Sequence, residues 1–178
     1  MHQSHLFNDK RQTWLQQLAE GPLHRVHVFD GYKVHRLRFH TLSRSKNKKT
    51  RCSGILVRGI GEGNASGADF FGQLEEVIEV EYPGEPIKHC ILFLCDWFDP
   101  TIPRGTRYSK LNCTYEVNFH RRYNKYDPFI LADVAYQVVY LPYPQGVPDK
   151  SNWWATFPNK PRKCPQQKDE GPSIALAF

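Results

Sequence analysis

The chain has a single Met, and its five Cys include no Cys-x-x-Cys pair. Without closely spaced thiols, the paired-ligand zinc modules are excluded. Such Cys usage suits a reduced, intracellular protein better than a disulfide scaffold. No apolar run approaches the roughly 20 residues that a membrane-spanning helix needs. The opening MHQSHLFNDK lacks the apolar stretch of a secretory signal. There is no internal repeat, and no motif fixes a biochemical activity. One Met and a start at Met1-His2-Gln3-Ser4-His5 lead us to expect a piece of a longer reading frame.

What is present suffices for one core. Of 178 residues, 40% are hydrophobic and 13% aromatic, which fits about one domain with tails. The net charge of +6 is segregated. Residues 24–51 carry nine Lys and Arg against one acid, residues 52–100 two against nine, and residues 101–127 six against two. An acidic segment between two basic ones hints at nucleic acid or an acidic partner. The plainer alternative is that the faces neutralise each other in the folded chain.

The chain is organised around residues 70–98. Phe70, Leu74, Ile78, Val80 and Tyr82 share one parity, and Gln73, Glu75, Glu79 and Glu81 the other, with Phe71 and Val77 as exceptions. A period of two predicts a strand with one buried and one wet face. Residues 89–98 are almost continuously apolar and predict a strand buried on both faces. Tyr82-Pro83-Gly84-Glu85-Pro86 supplies the turn of a long hairpin. Upstream, residues 7–20 predict a short helix with Trp14, Leu15 and Leu18 on one face, stopped by Gly21-Pro22. Alternating runs around Asp30-Gly31 predict a hairpin turning there. Residues 43–50 read as a basic loop, 53–59 as a short strand and 60–67 as a Gly-rich loop. Downstream, residues 101–114 read as a loop and 115–119 as a strand. Pro128 to Ala135 reads as a helical turn capped by Asp127, and 137–141 as a strand. Residues 152–157 read as a last edge strand and 159–178 as a disordered tail. The predicted class is all-β: a small SH3-like, BAH- or Tudor-like curled barrel over 22–158, after an N-terminal helix and linker over 1–21.

Several of these residues are familiar together. Gly31-Tyr32, Lys49-Thr50-Arg51-Cys52-Ser53-Gly54, Phe70-Phe71-Gly72, Cys95-Asp96-Trp97-Phe98-Asp99-Pro100, Tyr126-Asp127-Pro128-Phe129-Ile130, Val139-Tyr140-Leu141-Pro142 and Trp153-Trp154 resemble the plant transposon-associated domain of unknown function 4216. That family occurs in proteins derived from CACTA-type (En/Spm-like) elements. The resemblance spans residues 20–158. It implies a plant source, a transposon origin and a nuclear location, but no activity and no site residues.

Asp96, Asp99, Glu116 and Asp127 are the carboxylates a metal-dependent nuclease would draw on. However, strand parity separates Asp96 from Asp99, and Asp99-Pro100 and Asp127-Pro128 are ordinary turn and cap chemistry. No catalytic residue is expected. His24 with His27, His35 with His40 and Cys90 with Cys95 sit at odd spacings that face opposite ways in a strand, so neither a metal site nor a cofactor is expected. Arg36, Arg38, Lys46, Lys48, Lys49 and Arg51 form one basic cluster, and Arg121, Arg122 and Lys125 belong to another with Arg104, Arg107 and Lys110. Tyr108, Tyr115, Tyr123 and Tyr126 interleave with the second, a composition suited to phosphates and stacked bases. Phe70, Phe71, Trp97 and Tyr115 could form an aromatic recognition cluster, or simply the core. The expected function is a non-enzymatic accessory module that binds nucleic acid, chromatin or a protein such as the transposase. The alternative is a purely structural module of a transposase-associated complex. Neither a membrane nor a small-molecule substrate is expected.

Overall fold

The computed structural model describes residues 15–46, 52–59, 68–124 and 128–160. Eleven strands carry the fold: β1 Val26–Phe29, β2 Gly31–Val34, β3 Leu37–His40, β4 Gly54–Val57, β5 Phe70–Tyr82, β6 Lys88–Trp97, β7 Thr106–Ser109, β8 Thr114–Asn118, β9 Phe129–Leu131, β10 Tyr136–Pro142 and β11 Trp153–Pro158. The all-β class holds. Nine strands make one sheet in the order β7-β8-β11-β10-β4-β5-β6-β9, with β1 joined to β5 beyond β4, and β2–β3 form a separate hairpin. The path ends at β7 and at β9, so the expected barrel is not closed.

The predicted hairpin of residues 70–98 is the centre of this sheet. β5 and β6 pair from Gly72–Trp97 to Tyr82–Lys88. Leu74 faces Cys95 while Glu76 faces Leu94, so Glu75 is an extra residue, a β-bulge. The bulge explains the Val77 exception and turns Ile78, Val80 and Tyr82, expected on the buried face, to the opposite one, whereas Phe71 lies before it. Leu74 and Val77, three apart, both reach the first core cluster beside Ile55, Phe93, Trp97, Tyr32 and Phe39. Phe71 reaches the opposite face and a second cluster with Leu56, Phe98, Val117 and Val138. β4 covers one edge of β5 before the bulge, and β1 takes its place after it.

Several expectations are corrected. β6 is not buried on both faces: Phe93 and Cys95 are buried in the first cluster, while Cys90, Leu92 and Leu94 on the other face are only partly buried. Asp30-Gly31 does not turn a hairpin, because β1 leaves to pair with β5 and β2 pairs with β3. The tight turn is His35-Arg36, both in the left-handed region with φ of 50° and 65°, as a type I′ hairpin turn requires. His35 Nε2 donates to the Asp133 carbonyl at 2.8 Å, so a tertiary hydrogen bond holds this turn. Residues 129–131 are a strand on β6, and only Ala132–Val134 form a helical turn, following Leu131 rather than Asp127. Thr106–Ser109, read as loop, pairs with β8. β11 is no edge, since it lies between β8 and β10. A further helical turn, Leu42–Ser45, is capped by Thr41 in the segment read as basic loop. Residues 15–19 are helical, in keeping with the predicted first helix, whose earlier part lies outside the described residues. So does the tail beyond Lys160, while Asn159 still donates its backbone N–H to Gln137.

Gly54 is required where β4 meets β10: an added Cβ would lie 2.1 Å from the Val138 carbonyl oxygen. Gly54→Ala should therefore destabilise the sheet by roughly 1–3 kcal/mol, as forced overpacking does. Trp97, 7% exposed, should cost about 3–5 kcal/mol as Trp97→Ala. Chemical denaturation of both variants measures these losses, and near-wild-type midpoints would contradict the packing described.

Candidate interaction surfaces

Among the described residues, the predicted basic residues sit on different elements. Lys48, Lys49, Arg51 and Lys125 fall outside the described residues. Arg36 sits in the β2–β3 turn, Arg38 on β3 and Lys46 after the Leu42–Ser45 turn, all with exposed side chains. Arg121 is exposed beyond β8. Arg122 instead lies 3.3 Å from Asp96 through Nε, over the Phe98 ring at 4.4 Å, with Nη2 3.4 Å from Gln73 Oε1. That contact ties the segment after β8 to the end of β6. In sheet order, β8 is separated from β5 by β11, β10 and β4.

A second group of cations is bound to a buried carboxylate. Glu116 of β8 is fully buried. It accepts from Lys150 Nζ at 2.5 and 2.7 Å, from Tyr143 Oη at 2.5 Å and from Arg107 Nε at 2.8 Å. Arg107 also lies over the Trp153 ring at 3.9 Å. A buried carboxylate without partners would be costly, and here charge-assisted hydrogen bonds compensate its desolvation. Burial pushes its pKa up, but the donors outweigh it and hold the group down to about 2. The cluster joins β7, β8 and the loop before β11, so Arg107 and Lys150 act as structural partners of Glu116.

The other predicted carboxylates are likewise engaged. Asp96 pairs with Arg122. Asp99 accepts from the Thr101 N–H at 2.9 Å, the turn contact its sequence suggested. Burial would raise its pKa, but the bonds from Thr101 and the nearby Arg121 and Arg104 lower it. Asp127 lies outside the described residues. Cys95 is buried, and desolvation raises its pKa far above that of a free thiol, as expected for a small apolar core residue.

The four aromatic candidates do not converge. Phe70 packs edge-on against Trp97 at 6.4 Å on the first-cluster side. Phe71 meets Tyr115 at 5.6 Å on the second-cluster side. Adjacent residues of one strand face opposite ways, so the set divides into two pairs. A cavity of about 510 Å³ lies beside the bulge, lined by Leu42, Ser43, Ser45, Lys46 and Glu75. The Ser45 hydroxyl is buried with no hydrogen-bond partner among the described residues.

The surface the sequence did not reveal is apolar. Register places Val28, Ile78, Leu92 and Leu131 in one row across β1, β5, β6 and β9. Val26, Val80 and Cys90 form the next row, and Glu76, Leu94 and Phe129 the row on the other side. Tyr82 lies opposite Lys88 at the hairpin end of the same face. The reverse face carries Phe29, Val77, Phe93 and Ile130, all packed in the first cluster. None of the residues on the outward face belongs to either core cluster. Val26, Val28, Phe129 and Leu131 are 49%, 58%, 42% and 50% exposed. Single exposed apolar residues are ordinary, but contiguous rows mark interaction sites. Helical residues 15–19 reach the hairpin end of this face, where Lys88 Nζ donates to Gln17 Oε1 at 2.8 Å.

The fold and these surfaces define an open, two-cored all-β domain. Residues 78–156 match the family described as a domain of unknown function, DUF4216. No curated protein matches the chain, and no solved structure does. Among the described residues, no helix is long and apolar enough to cross a membrane.

The Glu116 cluster predicts acid sensitivity. A folded pKa below the usual carboxylate value contributes stability that is fully present above the unfolded pKa of about 4.5, and is lost as pH falls toward about 2. Glu116→Gln should lower stability at neutral pH by roughly 1.5–3 kcal/mol. The variant should also show a smaller decline in melting temperature between these two pH values. An unchanged pH profile would contradict the ion cluster.

Proposed function

We propose that this domain is a non-catalytic accessory module of a plant transposon-derived protein, acting in the nucleus by binding a partner protein. The observation that carries the reading is the apolar face of β1-β5-β6-β9, exposed along β1 and β9 and half-buried along β5 and β6. Its ten apolar side chains, from Val26 and Val28 to Phe129 and Leu131, form a contiguous field bounded along the hairpin by Glu76 at one end and Lys88 at the other. A stable protein–protein interface engages roughly 20–30 residues a side, so the face is small for a self-standing dimer. It suits one amphipathic helix of the partner laid across the strands, the usual way to cover an open sheet. Residues 78–156 match a domain of unknown function, and the transposon-derived setting, with the transposase as the candidate partner, rests on the sequence resemblance.

Nucleic-acid binding is supported less well. Arg107, Lys150 and Arg122 are committed to Glu116 and Asp96. The exposed Arg36, Arg38, Lys46 and Arg121 side chains would give at most weak, salt-sensitive association.

A photo-reactive amino acid at position 28 of the full chain, expressed in plant cells, tests the proposal. The expected result is a covalent adduct with one discrete polypeptide, lost when Leu131→Glu is added. A probe at position 104 should give no such adduct. Adducts only with the chain itself, only with nucleic acid, or equally from position 104 would overturn the reading.

A further inference from the structure

We propose that His27, Glu79, Glu81 and His89 form a site for one divalent zinc-class cation on the face of the sheet opposite the apolar one. His27 is opposite Glu79 on the β1–β5 ladder, and His89 is opposite Glu81 on the β5–β6 ladder. Glu79 and Glu81 are two apart on β5, so all four side chains project from the same face. The potential ligand atoms of His27, Glu79 and Glu81 lie within 4.8 Å of one another. His27 Nδ1 is 3.5 Å from Glu79 Oε2 and 3.7 Å from Glu81 Oε1. His89 Nδ1 is 3.3 Å from Glu79 Oε1 and 3.8 Å from Glu81 Oε1.

These separations discriminate between two readings. A charge-assisted N–H···O bond would be about 2.7–2.9 Å long, and every pair is longer. Ligands about 2.0–2.1 Å from a tetrahedral zinc ion stand about 3.3–3.4 Å apart along the polyhedron edges; the His89–Glu79 contact matches this, while the others, at 3.5–3.8 Å and to both oxygens of Glu79, would close on the ion, with His89 joining the group formed by His27, Glu79 and Glu81. Charge points the same way. Two carboxylates with two neutral imidazoles carry −2, which a divalent ion balances. Paired imidazole nitrogens select a transition metal over calcium or magnesium, which prefer all-oxygen sites. The histidines are about half exposed, with side-chain exposures of 49% and 48%, and the glutamates are more enclosed at 21% and 17%. An ion can therefore enter from solvent while the carboxylates are held by the strand. The ion would bind three strands together across the ladder, fixing β1 against β5.

Titration of the full chain with zinc, followed by calorimetry and by cobalt(II) absorption, tests the proposal. The expected result is one saturable zinc per chain and a cobalt spectrum without a thiolate-to-metal band. His27→Ala, His89→Ala and Glu79→Gln should each weaken binding about tenfold or more, with unchanged circular dichroism. His24→Ala should leave it unaltered. No saturable uptake by the wild type, a thiolate band, or variant titrations that superimpose on wild type would overturn it. The partner-binding reading stands or falls separately, because it concerns the other face.

Discussion

The structure depends on the ladder between β5 and β6 and on the one residue, Glu75, that interrupts it. Before the bulge, β5 is a two-sided core strand, with Leu74 in one cluster and Phe71 in the other. After it, the strand has one packed face and one open face. An extra residue in one strand rotates all the side chains that follow relative to the partner. The same local irregularity therefore accounts for where the two cores divide, where β4 hands over to β1, and why an apolar field is left outside. Without the bulge, Val77 would share the parity of Phe71 rather than that of Leu74.

Charge plays a structural role more than the sequence suggests. Net charge by segment looks like a nucleic-acid footprint, yet several of the cations balance acids that are close in space. Arg107 and Lys150 hold Glu116, and Arg122 holds Asp96. Ion pairs whose members lie in segments of opposite sign, as with Arg122 and Asp96, are what charge segregation along a chain yields when the strands are brought together. What this leaves for recognition is the apolar field on one face of β1-β5-β6-β9 and the His–Glu cluster on the other.

The sequence was legible where signals are local. The period of two in residues 70–82, the unbroken apolar run after it and the Pro-Gly turn between them sufficed for the central hairpin. Gly54 to Val57, residues 114–118 and the strand after Gln137 were equally plain. What failed was pairing. Asp30-Gly31 carries a strong turn signal, but β1 finds a better edge on β5, and tertiary hydrogen bonding at His35 places the turn elsewhere. β7 and β9 are short strands whose pairing is decided by their partners, so their own residues carry little periodicity. The His–Glu cluster was invisible for the same reason. His27, Glu79 with Glu81, and His89 come from three strands, and comparing histidines within one strand could not bring them together. The apolar field needed the register of four strands at once.

β6 presents alternate residues to a packed core and to an open face, and its own two cysteines test this arrangement. Cys90 lies in the exposed row and is partly accessible, whereas Cys95, five residues on, is buried in the first cluster. Alkylation of the native chain with a maleimide, read residue by residue by mass spectrometry, should modify Cys90 while Cys95 reacts only after unfolding. Equal protection of both, or faster reaction at Cys95, would contradict the face assignment on which the account rests.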